Sequence, residues 1–116
     1  MGKNTCRNLV IFRNTSKSFQ LNFTENNGNP KDITGWTIYF TVKEKMEDSD
    51  GLAKISKDIT SHYDAKGGKT LISLETDDTD LKGNYYYDVK FKDADGNADI
   101  LFHGMIKFRE PVTTRG

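Results

Sequence analysis

The chain has 116 residues and a mass of 13.2 kDa, room for one domain with one real core and too little for two. Seventeen basic residues balance seventeen acidic ones, which argues against a general nucleic-acid or membrane-surface binder, since both need a basic excess. A lone cysteine, Cys6, excludes an internal disulfide and a multi-cysteine zinc site. No apolar run approaches the ~18 residues of a membrane span, and the first residues lead to no signal-peptide hydrophobic region. They also miss the myristoylation pattern, because Cys6 stands where Ser or Thr is wanted. The expectation is a soluble, single-domain protein made in the cytoplasm.

Four alanines against twelve threonines, seven phenylalanines and five tyrosines disfavour helix and suit a pleated surface. Alternation with period two then marks seven strands in chain order. Residues 1–15 read as an N-terminal arm, with Cys6 in a frayed leader and a possible first strand at 9–13. A second strand covers 18–24, with Phe19, Leu21 and Phe23 inward. Asn27-Gly28-Asn29-Pro30 turns the chain. The third strand, 36–43, is the clearest: Trp36, Ile38, Phe40 and Val42 share one face, Thr37, Tyr39, Thr41 and Lys43 the other. A polar loop at 44–51 precedes a fourth strand at 52–59, and another at 61–69 precedes a fifth at 70–75, with Ile72 and Leu74 inward. The sixth, 85–92, puts Tyr85, Tyr87, Val89 and Phe91 inward. Asp93-Ala94-Asp95-Gly96-Asn97 is a hairpin signal. The seventh strand, 100–108, carries Ile100, Phe102, Gly104, Ile106 and Phe108 on one face. The sandwich then spans residues 16–110, and 111–116 form a short tail.

Seven short antiparallel strands with inward alternation predict an all-β fold, two sheets packed face to face. Trp36 opening the third strand, and Tyr85 entering the sixth after Leu81-Lys82-Gly83-Asn84, favour an immunoglobulin-like sandwich with a tyrosine corner.

Catalytic and metal signals are absent or weak. His62 falls in a polar loop and His103 on a strand facing away from the core, neither within a known metal or triad motif. Asp93 to Asp99 offers alternating oxygen ligands, but Gly96 sits at the fourth position rather than the sixth and no Glu closes a twelve-residue loop. A hairpin tip is the simpler reading. Asp77-Asp78-Thr79-Asp80 reads as an acidic turn rather than an ion site. Gly67-Gly68-Lys69-Thr70 lacks the upstream glycine of a phosphate loop, position 63 being Tyr63. Asn14-Thr15-Ser16 and Asn22-Phe23-Thr24 fit the glycan acceptor pattern without a secretory signal to give it effect. The expectation is therefore a non-enzyme with no cofactor and no metal.

In an immunoglobulin-like order the third, sixth and seventh strands are neighbours, and their outward positions gather Tyr39, Tyr86, Leu101, His103 and Met105. A contiguous apolar group of this kind marks a partner surface. Two alternatives stand against it: loop 44–51 folds over the group, or a register shift of one turns it inward.

The stretch Asn29-Pro30-Lys31-Asp32-Ile33-Thr34-Gly35-Trp36 and on to Lys43 resembles a segment of small bacteriophage virion proteins. It is similar to the immunoglobulin-like N-terminal domain of phage baseplate upper proteins. The resemblance continues through Leu81-Lys82-Gly83-Asn84-Tyr85-Tyr86-Tyr87-Asp88-Val89, Asp93-Ala94-Asp95-Gly96 and Leu101-Phe102-His103-Gly104, covering about residues 16–112. It implies a non-enzymatic virion component docking onto other structural proteins of tail, baseplate or capsid, in repeated copies. It transfers no catalytic residues. A carbohydrate- or host-surface-binding module, with exposed tyrosines stacking on sugar rings, is the rival reading.

Overall fold

The structure is a computed structural model that describes residues 5–115. Among these residues eight strands follow one another: β1 (Thr5–Cys6), β2 (Leu9–Phe12), β3 (Lys17–Asn22), β4 (Thr37–Lys43), β5 (Ile55–Ile59), β6 (Lys69–Leu74), β7 (Gly83–Lys92) and β8 (Ala98–Arg109). A single 3₁₀ turn at Asp50–Leu52 interrupts loop 44–51 and the start of the expected fourth strand, which forms only from Ile55. The larger sheet runs β1-β8-β7-β4-β5, with β2 continuing the β1 edge along β8, and β3 pairs with β6 to form the smaller sheet. The fold is an immunoglobulin-like all-β sandwich. Its one departure from the expected all-antiparallel pairing is at the first edge, where β1 and β2 run parallel to β8.

The core lies between the sheets. Ile38, Phe40 and Val42 of β4, Tyr85, Tyr87, Val89 and Phe91 of β7, and Ile106 and Phe108 of β8 are buried from the large sheet. Thr70, Ile72 and Leu74 of β6 close it from the other side. Trp36 stacks on Phe91 at 4.8 Å between centroids and meets Phe23 edge-on at 5.2 Å, so aromatic packing pins the entry to β4. Two strands cannot cover a wider sheet completely, and Phe19 and Leu21 of β3 are only half-buried against the core. The Tyr85 hydroxyl donates to the Lys82 carbonyl at 3.1 Å, the tyrosine corner anticipated from its position.

The connections explain their own residues. Asp93 accepts the N–H groups of Asp95 and Asn97 at 2.9 Å each, and Gly96, at φ 93°, turns the chain where a side chain would be strained. Asp78 accepts the Glu75 N–H at 2.8 Å and pairs with Lys57 at 2.9 Å, so the acidic stretch before Leu81 is a hydrogen-bonded turn. Buried Thr79 donates to the Thr15 carbonyl at 2.7 Å and accepts the Thr15 N–H at 2.9 Å, tying that turn to the β2–β3 connection. His62 lies in the expected loop and acts there as a bracket: Nε2 lies 2.8 Å from the Trp36 carbonyl and Nδ1 2.8 Å from the Thr70 hydroxyl. A carbonyl only accepts, so Nε2 carries a proton, and in the neutral ring Nδ1 then accepts from Thr70.

Candidate functional site: the outward face of the large sheet

The edge of the face is built around a break in the first strand. Strand pairing breaks at Arg7 and Asn8, between β1 and β2, and one main-chain bond and two side chains bridge the gap. Asn8 Oδ1 accepts the Met105 N–H at 3.1 Å, the Arg7 N–H donates to the His103 carbonyl at 2.7 Å, and the Arg7 carbonyl accepts the Tyr87 hydroxyl at 2.6 Å. The approach requires Gly104, where a Cβ would fall 2.8 Å from the Arg7 carbonyl carbon and 3.0 Å from Asn8 Oδ1. Cys6, expected in a frayed leader, is thereby held beside His103 as its parallel partner.

Cross-strand register then sets the face. Reading from β8 through β7 to β4, its rows are Met105–Tyr86–Lys43, His103–Asp88–Thr41 and Ile100–Lys90–Tyr39. The first two rows, with Cys6, Met46 and Ile100, line an open hollow of about 610 Å³. Tyr39 stands one row away beside a second, charged depression of about 550 Å³ that includes Asp58, Asp88, Lys90 and Lys92.

Of the five residues picked from the sequence, Tyr86, His103 and Met105 come together in the hollow and Tyr39 borders it on the same face. Leu101 does not belong there. A β-bulge between the Val89–Phe102 and Lys90–Ile100 pairs takes up one extra residue of β8, and Leu101 is that residue. It packs against the core and lines a depression with Leu21, Phe23 and Phe102. Ile100, expected inward, takes the outward place and lines both surface hollows.

Sequence reasoning missed the other half of the apolar surface. Val10 and Phe12 pair with Lys107 and Arg109, both outward positions of β8, and so extend the face across the β2 edge. Exposures of 59% for Val10, 48% for Phe12, 71% for Met46, 38% for Tyr86 and 40% for Met105 show that loop 44–51 does not cover the group. Met46 approaches from one side and leaves the rest open. The signal for Val10 and Phe12 was present as alternation about buried Ile11.

Charge is concentrated at the floor of the face. Asp88 is half-buried, and burial pushes its carboxyl above the ordinary aspartate range; Lys43 pulls it down, Asp50 pushes with burial, and Lys90 and His103 pull down. Lys43 is committed to Asp50, Nζ to Oδ1 at 2.8 Å, and that contact lowers the Asp50 carboxyl. Among the described residues, no group of three or more His, Cys, Asp or Glu side chains is placed to hold a metal ion. No helix among them is long and apolar enough to cross a membrane.

Fold and face together define an immunoglobulin-like β-sandwich with an uncovered apolar sheet face. Among solved structures, the chain is similar to the N-terminal domain of phage TP901-1 ORF48, at 18% identity and a TM-score of 0.48, with 90% of this chain and 89% of that chain covered. No protein-family model matches the chain, and none of the curated proteins does.

Proposed function

We propose that the protein is a non-enzymatic structural component of a bacteriophage particle, docking onto other tail, baseplate or capsid proteins through the outward face of its larger sheet. The observation that carries this reading is the uncovered apolar group Val10, Phe12, Tyr86 and Met105 on one face and its edge, with Met46 beside it from loop 44–51. Contiguous exposed apolar surface is costly in water, and tyrosine and methionine suit the centre of an interface. The segments around Trp36 and Tyr85 that resemble virion proteins support the particle as its setting. Repeated copies follow from the symmetry of such particles.

The test is a double substitution, Tyr86→Asp with Met105→Asp. Both side chains are partly exposed, and circular dichroism checks that the two opposed carboxylates leave the fold intact. Incorporation into particles of the encoding phage is expected to be lost. Wild-type incorporation of the folded double variant would contradict the assignment. Retention of the isolated protein on host envelope glycans, unaffected by Tyr86→Asp, would also count against it.

A further inference from the structure

The hollow sets one carboxylate, Asp88, and one lysine, Lys43, among apolar and neutral polar side chains. Asp88 occupies the middle of the row Thr41–Asp88–His103, between the apolar positions Tyr86 and Met105 on one side and Ile100 on the other. Among the described residues its carboxylate takes part in no hydrogen bond or ion pair. The cations nearby are Lys43, held 2.8 Å from Asp50, and Lys90, one row along β7. His103 faces Asp88 from β8, and Thr41, from β4, is uncharged. A half-buried carboxylate becomes costlier still when an interface closes over it, unless that interface brings a counter-charge. A second copy whose two-fold axis passed through the hollow would set a second Asp88 against the first. Like charges in a closing apolar contact repel.

We propose that, on the docking face argued above, the hollow receives an arginine or lysine side chain of a different protein surface, its cation paired with Asp88. Tyr86, Met105 and Ile100 pack along the aliphatic stem. This inference rests on the docking reading and adds the chemistry of the partner: an apolar surface with one cation near its centre. Tyr86 favours arginine, whose planar guanidinium stacks on an aromatic ring while donating to a carboxylate.

The experiment compares Asp88→Asn, which keeps shape and removes charge, with Asp88→Lys and with the Tyr86→Asp and Met105→Asp double variant, each in competition with wild type for incorporation into particles. Asp88→Asn is expected to compete about tenfold less well and Asp88→Lys to be excluded, both remaining folded. A second arm titrates the ¹⁵N-labelled protein with the peptides acetyl-Leu-Leu-Arg-Leu-amide and acetyl-Leu-Leu-Gln-Leu-amide. The arginine peptide should shift the amides of Tyr86, Asp88, His103 and Met105 more strongly, and Asp88→Asn should abolish the difference. Equal incorporation of Asp88→Asn and wild type, with the double variant excluded, would overturn the cation while leaving the docking face intact. Normal incorporation of all three would overturn both. Equal response to the two peptides, or face-to-face dimerisation of the free protein at neutral pH, would also overturn the proposal.

Discussion

Replacing Gly104 with alanine should prise the first edge strand from the sheet. The added Cβ falls inside contact distance of the Arg7 carbonyl, so the backbone at Arg7 and Asn8 has to move outward. Three hydrogen bonds depend on its present position: Tyr87 hydroxyl to Arg7 carbonyl, Arg7 N–H to His103 carbonyl, and Met105 N–H to Asn8 Oδ1. At ~1 kcal/mol net for each, complete loss would cost ~3 kcal/mol, and partial relaxation brings the expected value to ~2 kcal/mol. Unfolding entropy of roughly 2.1 cal/mol/K per residue makes this a fall of about 8 °C in Tm for a chain of this length. The assay is thermal unfolding followed by circular dichroism, combined with a double-mutant cycle. Tyr87→Phe alone should cost ~1 kcal/mol, and almost nothing once Gly104→Ala has separated the partners, leaving a coupling near 1 kcal/mol. A Tm within about 2 °C of wild type, well below the expected shift, or additive costs for the two substitutions, would refute the close-approach argument.

Three further outcomes follow from the same geometry. His62→Ala leaves the fully buried Thr70 hydroxyl and the Trp36 carbonyl unpaired and should destabilise by ~2 kcal/mol in urea unfolding; a loss under ~0.5 kcal/mol would exclude the bracket. Asp88 has a folded-state carboxyl raised by burial, so its favourable contribution is present below the ordinary aspartate range and is lost as pH rises through the raised value. Asp88→Asn is therefore expected to be more stable than wild type at pH 7 and equal to it below about pH 4, read from urea midpoints across pH. Asp50 behaves oppositely: Lys43 holds its carboxyl low, so the same titration should show the full loss for Asp50→Asn above the ordinary aspartate range and a fading loss as pH falls through the lowered value.

The parts of the fold legible in the sequence were those set within a single strand. Alternation placed Ile38, Phe40 and Val42 inside and Tyr39 outside, and it did the same for β6 and β7, because parity is a local property of extended backbone. The bulge at Leu101 is a property of two strands, since it exists only where β8 has one more residue than β7 to pair. Parity counted straight through it exchanged Leu101 with Ile100. The parallel edge was hidden for the same reason: β1 is two residues long and earns its place from β8 and from the Asn8 and Tyr87 side chains. Gly104 carried no local sign of its role, because the atom it avoids, the Arg7 carbonyl oxygen, lies far back in the chain. The partners of His62 were illegible for a like reason, lying on β6 and just before β4.

The most direct measurement of the docking face uses a photo-activated benzoylphenylalanine introduced singly at Tyr86 or at Leu71. Both residues are similarly exposed, but Leu71 lies on β6 in the smaller sheet and serves as the control. In intact particles, irradiation is expected to join position 86, and not position 71, to another virion protein. Cross-links from position 71 alone, or none from position 86 in particles that contain the protein, would contradict the assignment.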